Sequence, residues 1–543
     1  MKKTKFGLGL CTAALVAVCT LAGCGKKSGE DEYDDSGRLI LNLKNVYWEG
    51  YNGLEDNYTE ILNNKFGISV QASNYSYDDW DGDVYTAING DNIGDVIHFD
   101  LRDYNFGAAY ETWVDQMIVK QIPDDLSRWP NLQNMISHIS NIDKLKIDGH
   151  LYGIPVMRDL VNYDKTYSDM IYVYRRDWLE QIDANHKTKT GYEPGYPLTH
   201  DNDEYTFEEF QKIMDAFAAE PQGVGTKQCV LVDEYWGFPS VANFYKDAPH
   251  CYAKDDSGRA INAFTAPNYL QGLEYGRDLV INKKYYSQDQ FNFAANTATG
   301  YYKSDQAAIY YDNFSFENYK KLRVEMYPKV LDKIDKATAI MKVKRDDKYS
   351  IEGMENWFSM TLFNYDISDT KMEKILSLMD YLLSEEGTRL AIYGEQGYDY
   401  DIVDGQIVLS SRGWEKDQYG EYIKKINGAK MLRKMVCLGN ETASYDPYTL
   451  CDRTHTYETW SKFQNDMKEA NEAHKIRYVE EPSDIMWMSA PMKNEETKSM
   501  LDDANTYVLK YCFDSIKTQP EYLAKFSSVW GDVLAEINQR LGF

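Results

Sequence analysis

Short apolar runs alternate with longer segments whose apolar positions recur every three or four residues, and this alternation organises the chain from Arg38 onward. Leu39-Ile40-Leu41-Asn42-Leu43 reads as a strand. The next segment places Leu54, Tyr58, Ile61, Leu62 and Phe66 on one helical face and is stopped by Gly67, a residue type that takes the left-handed conformation closing a helix. Ile68 to Ala72 gives a second strand, Trp80 to Ile88 a second helix, and Asp95-Val96-Ile97-His98-Phe99-Asp100 a third strand ending in polar residues. Leu151 to Val156 and Ile171 to Tyr174 are strand-like, as is Ala307 to Tyr311, which runs into Asp312-Asn313. Thr206-Phe207-Glu208-Glu209 is a capping box that opens a helix reaching Glu220, since Thr and Glu can each satisfy an orphan amide of the first turn. Lys371 to Glu386 is amphipathic, with Ile375, Leu378, Met379, Leu382 and Leu383 on its buried side. Strands alternating with helices predict parallel sheets covered on both faces. On such sheets, ligands sit beyond the carboxyl ends of the strands.

The N-terminus follows a different pattern. Met1-Lys2-Lys3-Thr4-Lys5 precedes an uncharged apolar run from Phe6 to Ala22, then Gly23 and Cys24. A basic start and an apolar stretch too short to span a bilayer comfortably predict a secretory signal over 1–23. Leu21-Ala22-Gly23-Cys24 looks like a bacterial lipobox, whose cysteine is acylated and becomes the mature N-terminus. The following residues, 24–38, are polar and nearly free of large apolar groups, which predicts a flexible tether. The expected location is the extracytoplasmic face of the cell membrane, with the lipid as anchor.

Charge narrows the partners. With 59 Lys+Arg against 86 Asp+Glu the net charge is −27, and no dense basic run offsets it, so nucleic acid is not expected as a partner. At 543 residues the chain is long enough for two or more domains. Aromatic residues are 14% of the chain, including 45 Tyr and 11 Trp, and such rings either fill cores or stack on flat ligands.

Catalytic signatures are sparse. H-E-x-x-H, G-x-S-x-G and the P-loop pattern are absent, and the His residues are scattered. Ser368-Asp369-Thr370-Lys371 fits S-x-x-K and Lys189-Thr190-Gly191 fits K-T-G, but their order is reversed from that of penicillin-recognising enzymes. Ser368 and Asp369 therefore read as a helix cap. The acids of Asp78 to Asp83 lack the spacing and terminal Glu of a calcium loop and read as a helix start. No metal and no cofactor are expected. Beyond Cys24, an odd set remains in Cys229, Cys251, Cys437, Cys451 and Cys512, which argues against a disulfide framework while leaving single pairs open.

Several segments carry a family resemblance. Asp148-Gly149-His150-Leu151-Tyr152-Gly153-Ile154-Pro155 is similar to D-G-K-x-Y-G-I-P, and Tyr174-Arg175-Arg176-Asp177-Trp178-Leu179 to Y-R-K-D-W-L. Thr206 to Phe210 matches T-x-x-E-F. Asp380-Tyr381-Leu382-Leu383-Ser384-Glu385-Glu386-Gly387 resembles D-Y-L-x-S-E-E-G, and Tyr393 to Tyr398 resembles G-x-E-G-x-x-Y with Gln396 as the departure. In this order they resemble the extracellular solute-binding proteins of carbohydrate ABC transporters, in a long Gram-positive lipoprotein branch. The resemblance implies an α/β clamp of two lobes, each a mostly parallel sheet flanked by helices. Carried over by motif order, the first lobe takes 39–155 and 335–395 and the second 156–334 and 396–543. It further implies a monomer that captures a carbohydrate, passes it to the permease subunits of an importer and catalyses nothing. A binding protein for a peptide or other polar solute is the alternative within the class, and a cell-surface glycoside hydrolase the alternative outside it, because a pair of carboxylates is all such an enzyme needs.

A sugar asks for an aromatic face against its C–H groups and for carboxylates or amides against its hydroxyls. Candidates in loops after strands are Trp48, Asp100, Asp312, Asn313 and Phe314, with Trp357 beside a crossing strand. Tyr235 and Trp236 lie in a segment that resembles the aromatic stacking loop of maltodextrin-binding relatives. Trp80 and Trp178 sit inside helical patterns and are expected to pack.

Overall fold

Twelve strands build the two principal sheets: β1 (Leu39–Lys44), β2 (Ile68–Ser73), β3 (Val96–Asp100), β4 (Gly153–Met157), β5 (Met170–Tyr174), β6 (Glu204–Thr206), β7 (Cys229–Asp233), β8 (Ala307–Asn313), β9 (Ala339–Arg345), β10 (Lys348–Glu352), β11 (Trp357–Phe363) and β12 (Ile476–Val479). The computed structural model describes residues 31–45, 47–48, 50–53, 56–75, 80–90, 92–100, 106–160, 169–223, 229–234, 239–245, 252–262, 266–287, 290, 296–352, 355–416, 422–424, 427–438, 454–479, 511–513 and 518–543. The expected signal and Cys24 lie outside these.

The first sheet runs β2-β1-β3-β11-β4, and the second β7-β8-β5-β9-β10-β12 with β6 beside β9. Local sequence explains several elements. β1 alternates buried and half-buried positions, as a strand with one fully covered face does, whereas β4 and β7 are buried at every position. Asp56 caps the helix Asn57–Phe66 by accepting from the Thr59 amide at 2.8 Å, and Gly67 ends it with φ 64°. Thr206 and Glu209 form both bonds of the capping box that opens Phe207–Ala219.

The sheets are α/β but evenly mixed rather than mostly parallel. In the first, β1 pairs parallel with β2 and β3, while β11 runs antiparallel to β3 and β4. In the second, β5 is antiparallel to both β8 and β9. The reason is the path between lobes. β11 arrives from the second lobe and starts at the edge where β3 and β4 end, and β5 starts at the edge where β8 ends. A strand that enters at its neighbours' carboxyl edge must run against them.

The expected lobe boundaries also move. β9 registers on β5, Ala339 opposite Tyr174, so 335–352 belongs to the second sheet rather than the first. Residues 396–437 pack on the first lobe instead of the second: Trp48 Nε1 donates to the Met431 carbonyl, Tyr58 donates to Asp399, and Asn427 Nδ2 donates to the Leu390 carbonyl. One apolar core accordingly joins side chains of 39–157 and 357–437. Two others lie in the second lobe, one on each face of its sheet. The expected tether is shorter than 24–38, because residues from Asp31 are tied down. The Ile40 amide donates to the Glu32 carbonyl at 2.8 Å, Asp34 Oδ1 accepts from the Ser36 and Arg38 amides at 2.9 Å, and Asp31 accepts from Ser368 at 2.5 Å.

Candidate functional site

Chain passages between the lobes meet at one point. Met157, the last residue of β4, donates its amide to the Val436 carbonyl at 2.9 Å and accepts from the Leu438 amide at 3.1 Å. Beside it Trp357 stands in register with Met157, and the Arg158 amide donates to the Asn356 carbonyl at 2.8 Å. Three passages are thus laced by backbone bonds at the carboxyl edge of the first sheet. Asn356 is buried and fixed on both sides of its amide, accepting from the Ser140 amide at 2.9 Å and donating to the His138 carbonyl at 2.6 Å.

At the corresponding edge of the second sheet, β7 and β8 run parallel, with Asp233 opposite Tyr311, and deliver Glu234 and Asp312 side by side. Tyr310 donates to Asp312 at 2.5 Å, and its hydroxyl lies 2.7 Å from that of Thr299. Asp312 also accepts from the Asn313 amide at 2.7 Å. Glu234 accepts from the Asn296 amide at 2.5 Å through one oxygen, while its other oxygen is buried without a hydrogen-bond donor. Burial raises the Glu234 carboxyl above its ordinary value, and the charge of Asp312 pushes it the same way. Burial and then Asp312 likewise raise the Tyr310 hydroxyl, keeping it a donor. The half-exposed Asp312 carboxylate and the exposed Asn313 carboxamide can receive hydroxyl donors from a solute, with the Glu234 carboxylate lying behind them.

The residues expected from sequence divide. Asp312 and Asn313 reach this edge, partly and fully exposed. Phe314 does not: it is 2% exposed and packs edge-on against Tyr310 and Tyr319. Trp48 is 0% exposed, with its ring edge-on to Tyr51, and Trp357 is 4% exposed, donating Nε1 to the Ser140 carbonyl at 2.9 Å. Both are core residues in this conformation, because an indole with its N–H satisfied by backbone gains most from burying the whole ring. Asp100 closes β3 opposite Ser359, with its side chain outside the described part. Tyr235 and Trp236 lie outside the described residues. Trp178 packs as expected, under the Arg175 guanidinium at 4.1 Å.

Glu234, Tyr310, Thr299 and Asn296 were not singled out from sequence. The signal available was the apolar run Cys229-Val230-Leu231-Val232 ending in Asp233-Glu234, a buried strand finishing in two acids. Ser368 is a cap, its hydroxyl accepting from the Lys371 amide at 3.0 Å, and Lys371 is paired with Asp95 at 2.8 Å. Lys189-Thr190-Gly191 lies on an exposed hairpin of the other lobe. The two fragments therefore form no shared centre. Cys229, Cys437 and Cys512 are buried, and Cys251 and Cys451 lie outside the described residues. Burial pushes the Cys229 thiol up to about 12. Among the described residues no cluster of His, Cys, Asp or Glu is arranged to hold a metal ion, and no helix is long and apolar enough to cross a membrane.

No protein-family model and no curated protein matches the sequence. Solved structures do match its fold over nearly the whole chain. The substrate-binding protein FusA of a Streptococcus pneumoniae ABC transporter, solved with kestose, superposes with a TM-score of 0.55 at 12% identity, covering 92% of this chain and 98% of that one. A solute-binding protein associated with an HMO-binding ABC transporter of Bifidobacterium longum infantis gives 0.56 at 12% identity, over 93% and 97%. The N-glycan transport solute-binding protein NgtS of Streptococcus pneumoniae gives 0.54 at 11% identity, over 92% and 97%. At these identities the likeness establishes the two-lobed clamp fold.

Proposed function

We propose that this chain is the substrate-binding protein of a carbohydrate ABC importer, which captures an oligosaccharide between its lobes and presents it to the permease subunits. The observation that carries this reading is the clamp itself: two α/β lobes laced by three passages at one point, alike over nine-tenths of the chain to proteins named for kestose, N-glycan and HMO transport. The edge of the second lobe supports it, since Asp312 and Asn313 offer accessible acceptors suited to sugar hydroxyls. Two neighbouring carboxylates would repel an acidic solute, which makes a neutral sugar the better fit.

On this reading the solute leaves unaltered, and the S-x-x-K fragment Ser368 to Lys371 is spent on a helix cap and an ion pair. Acylation of Cys24 would hold the protein at the outer face of the membrane. A thermal-shift screen with kestose, mannose-containing N-glycan fragments and neutral milk oligosaccharides tests the ligand class, since a solute that binds only the native state raises apparent stability. A hit should also shrink the radius of gyration in small-angle scattering, as closure is driven by contacts to both lobes. Mass analysis after prolonged incubation should recover the sugar intact, and cleavage products would move the reading to a hydrolase. Cys24→Ala should release the protein from washed membranes.

A further inference from the structure

We infer that Asp233 is a positioning residue, whose carboxylate ties the start of the Ser240–Phe244 turn to the carboxyl end of β7 and so fixes both ends of the connection that carries Glu234. The inference rests on the reading of this edge as the solute site. Asp233 is buried at the end of β7 and touches no solute position itself. One of its oxygens accepts from the Ser240 amide at 2.7 Å and the Tyr286 hydroxyl at 2.9 Å, and the other accepts from the Ser240 hydroxyl at 2.9 Å. Tyr172, reaching across from β5, donates to that same Ser240 hydroxyl at 2.9 Å. The Asp233 backbone is held as well: its carbonyl accepts from Gln290 at 2.5 Å, and its amide donates back to Gln290 at 3.4 Å.

A carboxylate taken out of water is costly unless donors replace its hydration, and apolar side chains of the same volume would fill this space at lower cost. What the carboxylate adds is direction, because its two oxygens grip a residue that lies seven positions along the chain. With the Ser240 amide and hydroxyl both bound, the connection between them has its two ends set. Its first residue, Glu234, has its amide on the Tyr311 carbonyl at 3.0 Å and its carboxylate beside Asp312. An error at Asp233 would therefore pass directly into the spacing between Glu234 and Asp312, the carboxylate accessible at this edge.

Hydrogen exchange of the full chain, without ligand, tests this. Asp233→Asn should speed exchange of the amides at 234 and 240–245 at least tenfold while amides of β8 keep their rates. Ser240→Ala and Tyr286→Phe, each removing one donor, should give smaller increases at the same places and cover the case of Asp233→Asn failing to fold. Unchanged rates there, or an increase spread evenly over the second sheet, would overturn the inference. A kestose titration adds a readout that a purely structural role would not move. Asp233→Asn should weaken kestose binding at least threefold relative to Ile309→Val, a buried β8 change chosen for a comparable loss of melting temperature, and equal weakening by both would overturn positioning. Wild-type protein that ignores kestose would count against that ligand, with the exchange pattern still deciding the role of Asp233.

Discussion

At the carboxyl edge of the first sheet, Trp48 and Trp357 turn inward and spend their N–H groups on the carbonyls of Met431 and Ser140. At the same edge of the second sheet, acids and tyrosines gather instead, with Asp233 buried, Glu234 partly covered and Asp312 partly exposed. The two edges are topologically alike yet chemically opposite. The first is a packed root, where buried Trp357 lies beside the passages between lobes and Trp48 fills the core beneath. The second offers directional acceptors at its surface and holds them from beneath with a buried polar network. The difference separates packing from exposure: Trp48 and Trp357, two of the aromatic candidates, serve the frame, and the polar residues after β7 and β8 stand at an accessible edge.

This contrast can be broken by substitution. The largest effect should come from Trp48→Ala, which opens a cavity in the first core and removes one of the two donors to the Met431 carbonyl. A loss of about 3–5 kcal/mol is expected in denaturant unfolding of the ligand-free protein. If Trp48 were a platform, affinity would fall while stability held.

Next comes the pH dependence of Asp233, which sharpens the polar side of the comparison. Burial raises its carboxyl from 3.8 to about 7, despite the donors around it. Between pH 3.8 and about 7 the native state then keeps a proton that the unfolded chain releases, the carboxylate being the form above that range, so the contribution of this group to stability is full below pH 3.8 and is lost as pH rises through about 7. The decline amounts to about 3 kcal/mol from pH 4 to 7, at up to 1.4 kcal/mol per unit. Unfolding free energies of wild type and Asp233→Asn, measured from pH 4 to 7, should differ by this slope, and parallel curves would show that Asp233 is charged throughout.

A smaller effect is expected at the exposed acceptors. Asp312→Ala should weaken binding of a solute identified by thermal shift by about 2 kcal/mol, roughly thirtyfold in Kd, with a smaller loss of ligand-free melting than Trp48→Ala because the Tyr310 hydroxyl keeps Thr299 as a partner. Titration calorimetry beside melting reads both. Trp236→Ala, judged by the same two measurements, decides whether that ring stacks on solute or packs. The smallest effect should be Ser368→Ala, about 1 kcal/mol of stability from a lost cap, with binding untouched.

How far the sequence could be read follows the range of the forces involved. The cap at Ser368, the box at Thr206 and Glu209, the stop at Gly67 and strands β1 to β4 were legible because each depends on neighbours a few residues away. The same holds for the expectation that Asp312 and Asn313 end a strand. The fate of Trp48, Phe314 and Trp357 was not legible, since a ring after a strand looks the same whether the chain folds it in or leaves it out. The partner of β9 was equally hidden. Its first five positions are all buried, so nothing in its pattern prefers one sheet over the other, and the sequence motifs alone assign it to the wrong lobe.

By itself, then, the sequence determined where elements begin and end, the α/β alternation, and the motif order that resembles solute-binding proteins. Only the tertiary structure decided the mixed strand directions, the lobe to which 335–352 and 396–437 belong, and the meeting of Glu234 with Asp312. Those features depend on which distant surfaces bury each other. An apolar strand or ring records in its own residues that it will be covered, and its partner is chosen by long-range packing that no local pattern encodes.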